Sequence, residues 1–580
     1  MAKDDAAARG AAELRAARAE SRGLLWSVAV FSFFVNMLML TGPLYMMNVY
    51  DRVLGSRSVE TLIALSVLVA FLYACMGVLD FVRGRIMQRV GAGFQARLDR
   101  RVFSATIRAP SFARAGREAQ SGLRDLESVQ KAWTSPAYMS LYDLPFAPIF
   151  FAGIFVFHPW LGYLALAGAA VLIALALANQ MATRRPLEIA AHTAMASEAM
   201  GQQVRHEGET IQSLGMRDAA FTRWQQARGR SLEAAIEAQD AGGTYSALIK
   251  AVRLFLQSAM LGLGAFLVLE GWATAGVMIA SSILLGRALA PIEMIVGQWA
   301  IIQRGREGWR NLSTLLGEIP EEPHRTALPR PQGRLELEQV TVVPPGEQQA
   351  TLRMVSFRVE PGQAVGVIGT SGAGKSTLAR AITGTWRVAA GKVRLDGAAL
   401  DQYDPDVLGQ YIGYLPQRVA LFDGTIKENI ARLLPNPDDA EVVRAAKAAA
   451  AHDMILKLPD GYDTRVTASG GRLSGGQVQR IGLARALYGD PVVVVLDEPN
   501  SNLDNDGSMA LNAAIRQLKE KGAAVLIMAH RPAAIQECDL LLMIENGARR
   551  AFGPKDDVLR EMVANHKQIA AQGAPTGGVT

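Results

Sequence analysis

Hydrophobic residues along this chain gather into six stretches, near 24–47, 60–82, 138–157, 159–180, 246–269 and 273–297. Each is long enough to cross a bilayer as a helix, which takes about 20 residues for roughly 30 Å of hydrocarbon. Only His158, Pro159 and Trp160 part the third from the fourth, and only Glu270, Gly271 and Trp272 part the fifth from the sixth. Both are short turns carrying a Trp, as expected where a helical hairpin emerges at the aqueous boundary. The second and third stretches, and the fourth and fifth, are separated instead by long polar segments, near 83–137 and 181–245. Those segments are charged, Ala-rich and periodic in the manner of helices, as in GAGFQARLDRRVFSATI and GQQVRHEGETIQSLGMRDAAF. Arg83, Arg85, Arg89, Arg97, Arg100, Arg101, Arg184 and Arg185 assign this side to the cytoplasm, where basic residues are retained. A soluble helical bundle is excluded, because it would have to bury six fully apolar helices in too small a domain.

The first 23 residues are polar and either helical or loose. The apolar run from Leu24 continues too far for a signal-peptide core and lacks a small-residue cleavage site, so it reads as a retained first membrane helix. The membrane domain is expected over 24–317, followed by a Pro-rich linker, EIPEEPHRTALPRPQGR, over 318–334. Strand-like LELEQVTVV then opens a second domain, expected over 335–565, and a Gly/Pro tail over 566–580 is expected to be disordered. The fold class is therefore an all-α six-helix membrane domain joined to an α/β nucleotide-binding domain. Composition agrees: with half its 580 residues hydrophobic and 20% charged, the chain is too oily to be wholly soluble and not oily enough to lie wholly in lipid. The net charge of +6 is assigned to the cytoplasmic side of the membrane domain and not to nucleic acid, since no basic stretch is interleaved with aromatics. Two cysteines in different halves, Cys75 and Cys538, exclude a disulfide framework and a cysteine metal site, and both read as small buried hydrophobes.

Chemistry enters with AVGVIGTSGAGKST, residues 364–377, a short apolar strand running through a Gly-rich loop into a helix. Gly369, Thr370, Ser371, Gly372, Ala373, Gly374, Lys375, Ser376 and Thr377 satisfy the P-loop pattern in the context that gives it meaning. Glycines let backbone N–H groups close around phosphate oxygens, and the helix N-terminus adds positive potential. Lys375 is expected to reach the β- and γ-phosphates, and the Ser376 hydroxyl to coordinate Mg²⁺. Residues 492–499, VVVVLDEP, form a second buried strand ending in two carboxylates. Asp497 is placed to hold the Mg²⁺ hydration shell and Glu498 to polarise the attacking water as general base.

P-loops serve many unrelated ATPases, and LSGGQ at Leu473–Gln477, 20 residues before Asp497, narrows the choice. It resembles the signature of ATP-binding-cassette (ABC) proteins. Gln417 in YIGYLPQ resembles their Q-loop, Ser501 to Asp504 their D-loop, and His530 in MAHRP their switch histidine. The resemblance implies that Ser474, Gly475, Gly476, Gln477 and Asp504 meet ATP held by a second chain. It also implies that Gln417 contacts the metal and the reacting centre, and that His530 contacts the γ-phosphate. One cassette and one six-helix domain per chain then imply a homodimer. The family's adenine-stacking aromatic is missing: its place falls near Val343 or Pro344 in VTVVPPG, so the base must be held by apolar contact.

A membrane domain fused ahead of its cassette resembles exporters, with coupling segments of the long cytoplasmic helices docking on the cassettes near Gln417. PLYMMNVYDRVLGSRSVETL at 43–62, GRALAPIEMIVGQW at 286–299 and YLPQRVALFDGTIKENIAR resemble type I secretion system permease/ATPases, in the short subgroup without a peptidase-like domain. That implies export of an unfolded protein with a C-terminal signal from the bacterial inner membrane, with a periplasmic adaptor and an outer-membrane channel as partners. A lipid or small-molecule exporter is the alternative, sharing the engine residue for residue. Asn36, Asp80, Asp143 and Glu293, in or beside the spans, are expected either to line a route or to pack against partners.

Overall fold

The computed structural model describes residues 2–112, 118–323, 325–467, 473–501, 503, 505–529 and 532–561. The chain divides into two compact units, one of residues 1–107 and 116–321, the other of residues 108–115 and 322–580.

The first unit is helical and holds six membrane-length apolar helical segments: Arg22–Ser56, Val59–Ser111, Pro136–Phe157, Pro159–His206, Arg217–Leu269 and Ala275–Gly297. Apolar side chains of the second of these point outward, with Val67 and Phe71 each 64% exposed, a surface that only lipid or another apolar partner satisfies. The long polar segments are largely prolongations of the spans. Val59–Arg108, Pro159–His206 and Arg217–Leu269 run unbroken for 50, 48 and 53 residues, about 75 Å at 1.5 Å per residue and more than twice the hydrocarbon thickness. Sequence chemistry sets the breaks. His158 caps the helix from Pro159, its ring nitrogen accepting from the Trp160 N–H at 3.3 Å, and its ring stacks on Trp272, bringing the two short turns side by side. Ser135 caps the third span. Thr274 caps the sixth, where Asp51 also accepts from the Gly276 N–H at 2.9 Å and from the Thr274 hydroxyl at 2.8 Å. A carboxylate there complements the positive end of the helix dipole.

Of the two readings of the N-terminal segment, the structure has the helical one. Ala2–Ala19 buries Ala6, Gly10, Leu14 and Ala17 against the helix Trp299–Glu318. Two glycines make this approach possible: a Cβ on Gly10 would strike the Ser313 carbonyl, and one on Gly317 the Ala6 carbonyl. Arg101 ties the joint, donating to Glu13 at 2.8 Å and to the Ile319 carbonyl at 2.7 Å. The polar residues flagged in the spans form a knot. Arg83, buried, donates to Asp80 and Asp143 at 2.6 Å each and to Ser32 at 3.0 Å, while Asn36 donates to Asp143 at 2.8 Å. Glu293 pairs with Arg253 at 2.9 Å.

The second unit is built on strands β1 (Leu335–Val342), β2 (Leu352–Val359), β3 (Ala364–Ile368), β4 (Ala390–Leu395), β5 (Ala398–Ala399), β6 (Ile412–Leu415), β7 (Gly424–Thr425), β8 (Arg465–Val466), β9 (Val493–Asp497), β10 (Ala524–Met528), β11 (Leu540–Glu545) and β12 (Ala548–Pro554). One sheet, in the order β2-β1-β4-β5, is antiparallel. The main sheet has the order β12-β11-β3-β10-β9-β6, parallel except at β12. The continuous apolar runs AVGVI, VVVLD and AVLIM are its central strands, covered on both faces as parallel strands must be. Because β10 lies between β3 and β9, the loops leaving β3 and β9 open at the same carboxyl edge, where α/β sheets hold ligands. Of the two cysteines, Cys538 is buried, its thiol pushed up to about 12 by desolvation. Cys75 is only half-buried, because it sits on the sparsely packed second span.

Candidate nucleotide-hydrolysis site

After β3 the chain turns through glycines that no other residue could replace cheaply. Gly372 and Gly374 have φ of 79° and 105°, and a Cβ on Gly374 would press on Leu352 at 2.8 Å. The helix Lys375–Ile382 starts at once, so its first N–H groups face the loop. Thr370, Ser371 and Gly372 form the exposed rim, while Ala373, Gly374, Lys375 and Thr377 are buried. Lys375 folds back into its own loop, donating to the carbonyls of Gly369 at 2.9 Å and Thr370 at 3.0 Å. Burial lowers its pKa, with Glu498 and Asp497 opposing that shift.

Asp497 ends β9 almost fully buried, and its Oδ1 has no hydrogen-bond partner. Burial raises its pKa, while a hydrogen bond from Ser376 pulls the other way. Glu498 follows with φ of 52°, a left-handed backbone unfavourable for a residue with a Cβ and held here by its N–H donating to Met528 O at 3.0 Å. Its carboxylate accepts from Gln417 Nε2 at 2.9 Å. So Lys375, Ser376, Asp497, Glu498 and Gln417, spread over 124 positions of sequence from Lys375 to Glu498, converge on one edge of the sheet. A Mg²⁺ ion fits this set: the donors are hard oxygens, and a buried carboxylate oxygen lacks a partner.

Ser474 through Gln477 form a separate group at the start of the helix Gly475–Leu487. The Ser474 hydroxyl accepts from the Gln477 N–H at 3.3 Å, and the Gln477 amide oxygen accepts from the Ser474 N–H at 2.8 Å, a reciprocal capping box. Among the described residues this group shares no hydrogen bond with the chain's own P-loop. Asp504 and His530 lie outside the described residues. At the expected adenine position Pro344 is buried and Val343 half-buried.

Sequence reasoning passed over Gln479 and Asn500. Gln479 is buried, donating to Pro499 O at 2.7 Å and accepting from the Ser501 hydroxyl at 3.3 Å, and Asn500 is buried with an unpartnered Oδ1. A polar amide at i, i+3, i+4 and i+7 spacing with Gly482, Leu483 and Ala486, which lie on one buried face of this helix, was the available signal for Gln479.

Comparison with known proteins gives the family. Residues 25–289 match the ABC transporter transmembrane region and residues 352–501 the ABC transporter family. Over 97% of both chains, the protein is 42% identical to the type I secretion system ATP-binding protein PrsD of Rhizobium meliloti. The chain belongs to the type I secretion ABC exporters. Two further relatives are less similar. The cyclolysin secretion/processing ATP-binding protein CyaB of Bordetella pertussis is 29% identical over 93% of this chain and 76% of its own, and the alpha-hemolysin translocation ATP-binding protein HlyB of Escherichia coli O157:H7 is 26% identical over 95% and 78%. The exporter fold itself is shared with the solved structure of a bacterial Atm1-family ABC exporter with ATP bound, at TM-score 0.76 and 23% identity, covering 97% of this chain and all of that one. As a type I secretion exporter, the protein is a multi-pass inner-membrane ATPase with a cytoplasmic catalytic domain, coupling ATP hydrolysis to transport.

Proposed function

We propose that two copies of this chain form the energising subunit of a type I secretion system, passing an unfolded protein through the inner membrane to a periplasmic adaptor and an outer-membrane channel. The observation that carries this reading is the near full-length identity to PrsD, in both the membrane and the cassette halves.

The geometry supports the roles of Lys375, Ser376, Gln417, Asp497 and Glu498, and the family motifs support those of Ser474 to Gln477, Asp504 and His530. Incoming triphosphate oxygens replace the Gly369 and Thr370 carbonyls around Lys375, so its ammonium exchanges a weak local bond for a charged one. The N–H groups of residues 372–377 close on the same oxygens. Mg²⁺ would be held by Ser376, Asp497 and Gln417, where it supplies charge neutralisation for the β- and γ-phosphates. Glu498 accepts the proton of the attacking water, released from Gln417 as the substrate settles. From the second chain, Ser474, Gly475, Gly476 and Gln477 bring a helix N-terminus to the γ-phosphate, and Asp504 closes the same interface. His530 contacts the γ-phosphate from its own chain. ATP thus joins the cassettes and hydrolysis parts them. Within the cassette unit, Phe112 sits 4.4 Å from the Arg387 guanidinium, a cation–π contact.

The test is co-expression with the neighbouring adaptor and candidate cargo proteins, scoring secretion for the natural chain and Glu498→Gln. Secretion that requires Glu498 supports the proposal. ATPase activity stimulated by lipid, with no protein exported, overturns it in favour of a lipid exporter.

A further inference from the structure

The signature helix Gly475–Leu487 carries a buried side chain beyond the residues assigned to the partner's triphosphate. Gln479, 2% exposed, spends its whole amide on the other end of the site. Its Nε2 donates to Pro499 O at 2.7 Å and lies 3.4 Å from Glu498 O, and its Oε1 accepts from the Ser501 hydroxyl at 3.3 Å. The backbone it grips is the strained one: Glu498 stands at φ 52°, a conformation that persists only where the surroundings hold it. A helix turn is stiff, so a displacement at Ser474 reaches Gln479 almost undiminished. From there it passes through a short bond to the main chain that carries the water-activating carboxylate.

The geometry points to Gln479 as a positioning residue that makes the Glu498 of one site answer to occupancy of the other. The cap that receives the partner's triphosphate and the base that serves the chain's own triphosphate are joined by one buried amide. This rests on the dimeric reading above, in which the signature acts in trans. A chain that has docked on its partner's ATP holds its own Glu498 in place, and an undocked chain leaves the base slack. The two hydrolysis events are thereby linked with no contact between the two metal sites.

The test uses full-length mixed dimers in lipid nanodiscs, purified through two different tags. One chain carries Glu498→Gln, so all turnover comes from the Glu498 of the other, active chain. Gln479→Met (Q479M), close in volume, should lower kcat at least tenfold when placed on the active chain, with KM for ATP within twofold. On the Glu498→Gln chain it should change kcat less than twofold. Equal effects from either chain, no effect from either, or a KM that rises in step with the loss of kcat would overturn the assignment. If Q479M does not accumulate, Gln479→Glu keeps the size and the acceptor for Ser501, removes the donor to Pro499, and is read in the same way. Ser474→Arg reports on the dimeric reading separately. On the Glu498→Gln chain it should silence the mixed dimer; silence only when it sits on the active chain would sink the trans arrangement and leave the Gln479 comparison to be read alone.

Discussion

In the helical unit Arg83 enters an apolar interior and finds Asp143, Asp80 and Ser32 within 3.0 Å, with Asn36 donating to the same Asp143 oxygen. In the cassette Asp497 is just as deeply buried, yet one carboxylate oxygen has no partner, and Lys375 is turned back on its own loop. Both clusters hold opposite charges out of water. The first is closed, with donors matched to acceptors inside the chain, and serves to fix spans against one another. The second is open, and its pairing describes the ligand: an anion to replace the neutral carbonyls on the lysine, and a hard cation for the unpartnered aspartate oxygen. Unsatisfied burial costs stability, so it persists where binding restores what folding leaves undone.

The comparison can be broken most sharply at the open cluster. Glu498→Gln should lower kcat for ATP hydrolysis about 1,000-fold, the scale of a lost general base, while ATP binding measured by equilibrium titration stays intact. Loss of binding in step with kcat would mean that Glu498 holds the substrate and does not activate water. At the closed cluster, Asp143→Ala leaves Arg83 with the exposed Asp80 as its one carboxylate and Ser32 as a neutral acceptor. Thermal unfolding in detergent should register a loss of about 3 kcal/mol, the lower end for a broken buried pair. A variant as stable as the natural chain would show that the knot is ornamental.

Asp51→Ala should cost about 1.5 kcal/mol by the same assay, since it removes a cap and a favourable charge from the sixth span. Asp497→Asn should do the reverse to nucleotide-free protein, stabilising it by about 1 kcal/mol while abolishing turnover. The sign follows from linkage. Burial raises the Asp497 pKa above its unfolded value, so the penalty is absent at pH below the ordinary Asp range and grows as pH climbs through the folded value. The gap in unfolding temperature between Asn variant and natural chain should therefore widen from pH 4 towards pH 7. A constant gap would place its origin in packing.

Much of this was legible from sequence, and the reason differs between regions. Six spans could be read because lipid demands apolar residues all round a helix, a signal that survives without knowing any contact. How far they run could not: the first continues past Met47 through a widened turn at Val49–Val53, where Asp51 reaches the sixth span 223 positions away. The P-loop, Asp497 and Glu498 were legible because phosphate chemistry restricts both residue type and spacing. Gln479 was not, because a glutamine in a helix is ordinarily a solvated face, and only tertiary packing turns it inward. The N-terminal segment was ambiguous for the same reason. Gly10 lowers helix propensity on its own and becomes favourable only against the Ser313 carbonyl.

That last contact has a consequence for biogenesis. The seat for the opening helix is Trp299–Glu318, made about 280 residues later. At roughly 5–20 residues per second, the leading segment leaves the ribosome tens of seconds before its seat exists. The clasp formed by Gly10 and Gly317 therefore shuts only after all six spans have been made, and a nascent chain interrupted before residue 299 carries those spans with its first helix still unmoored.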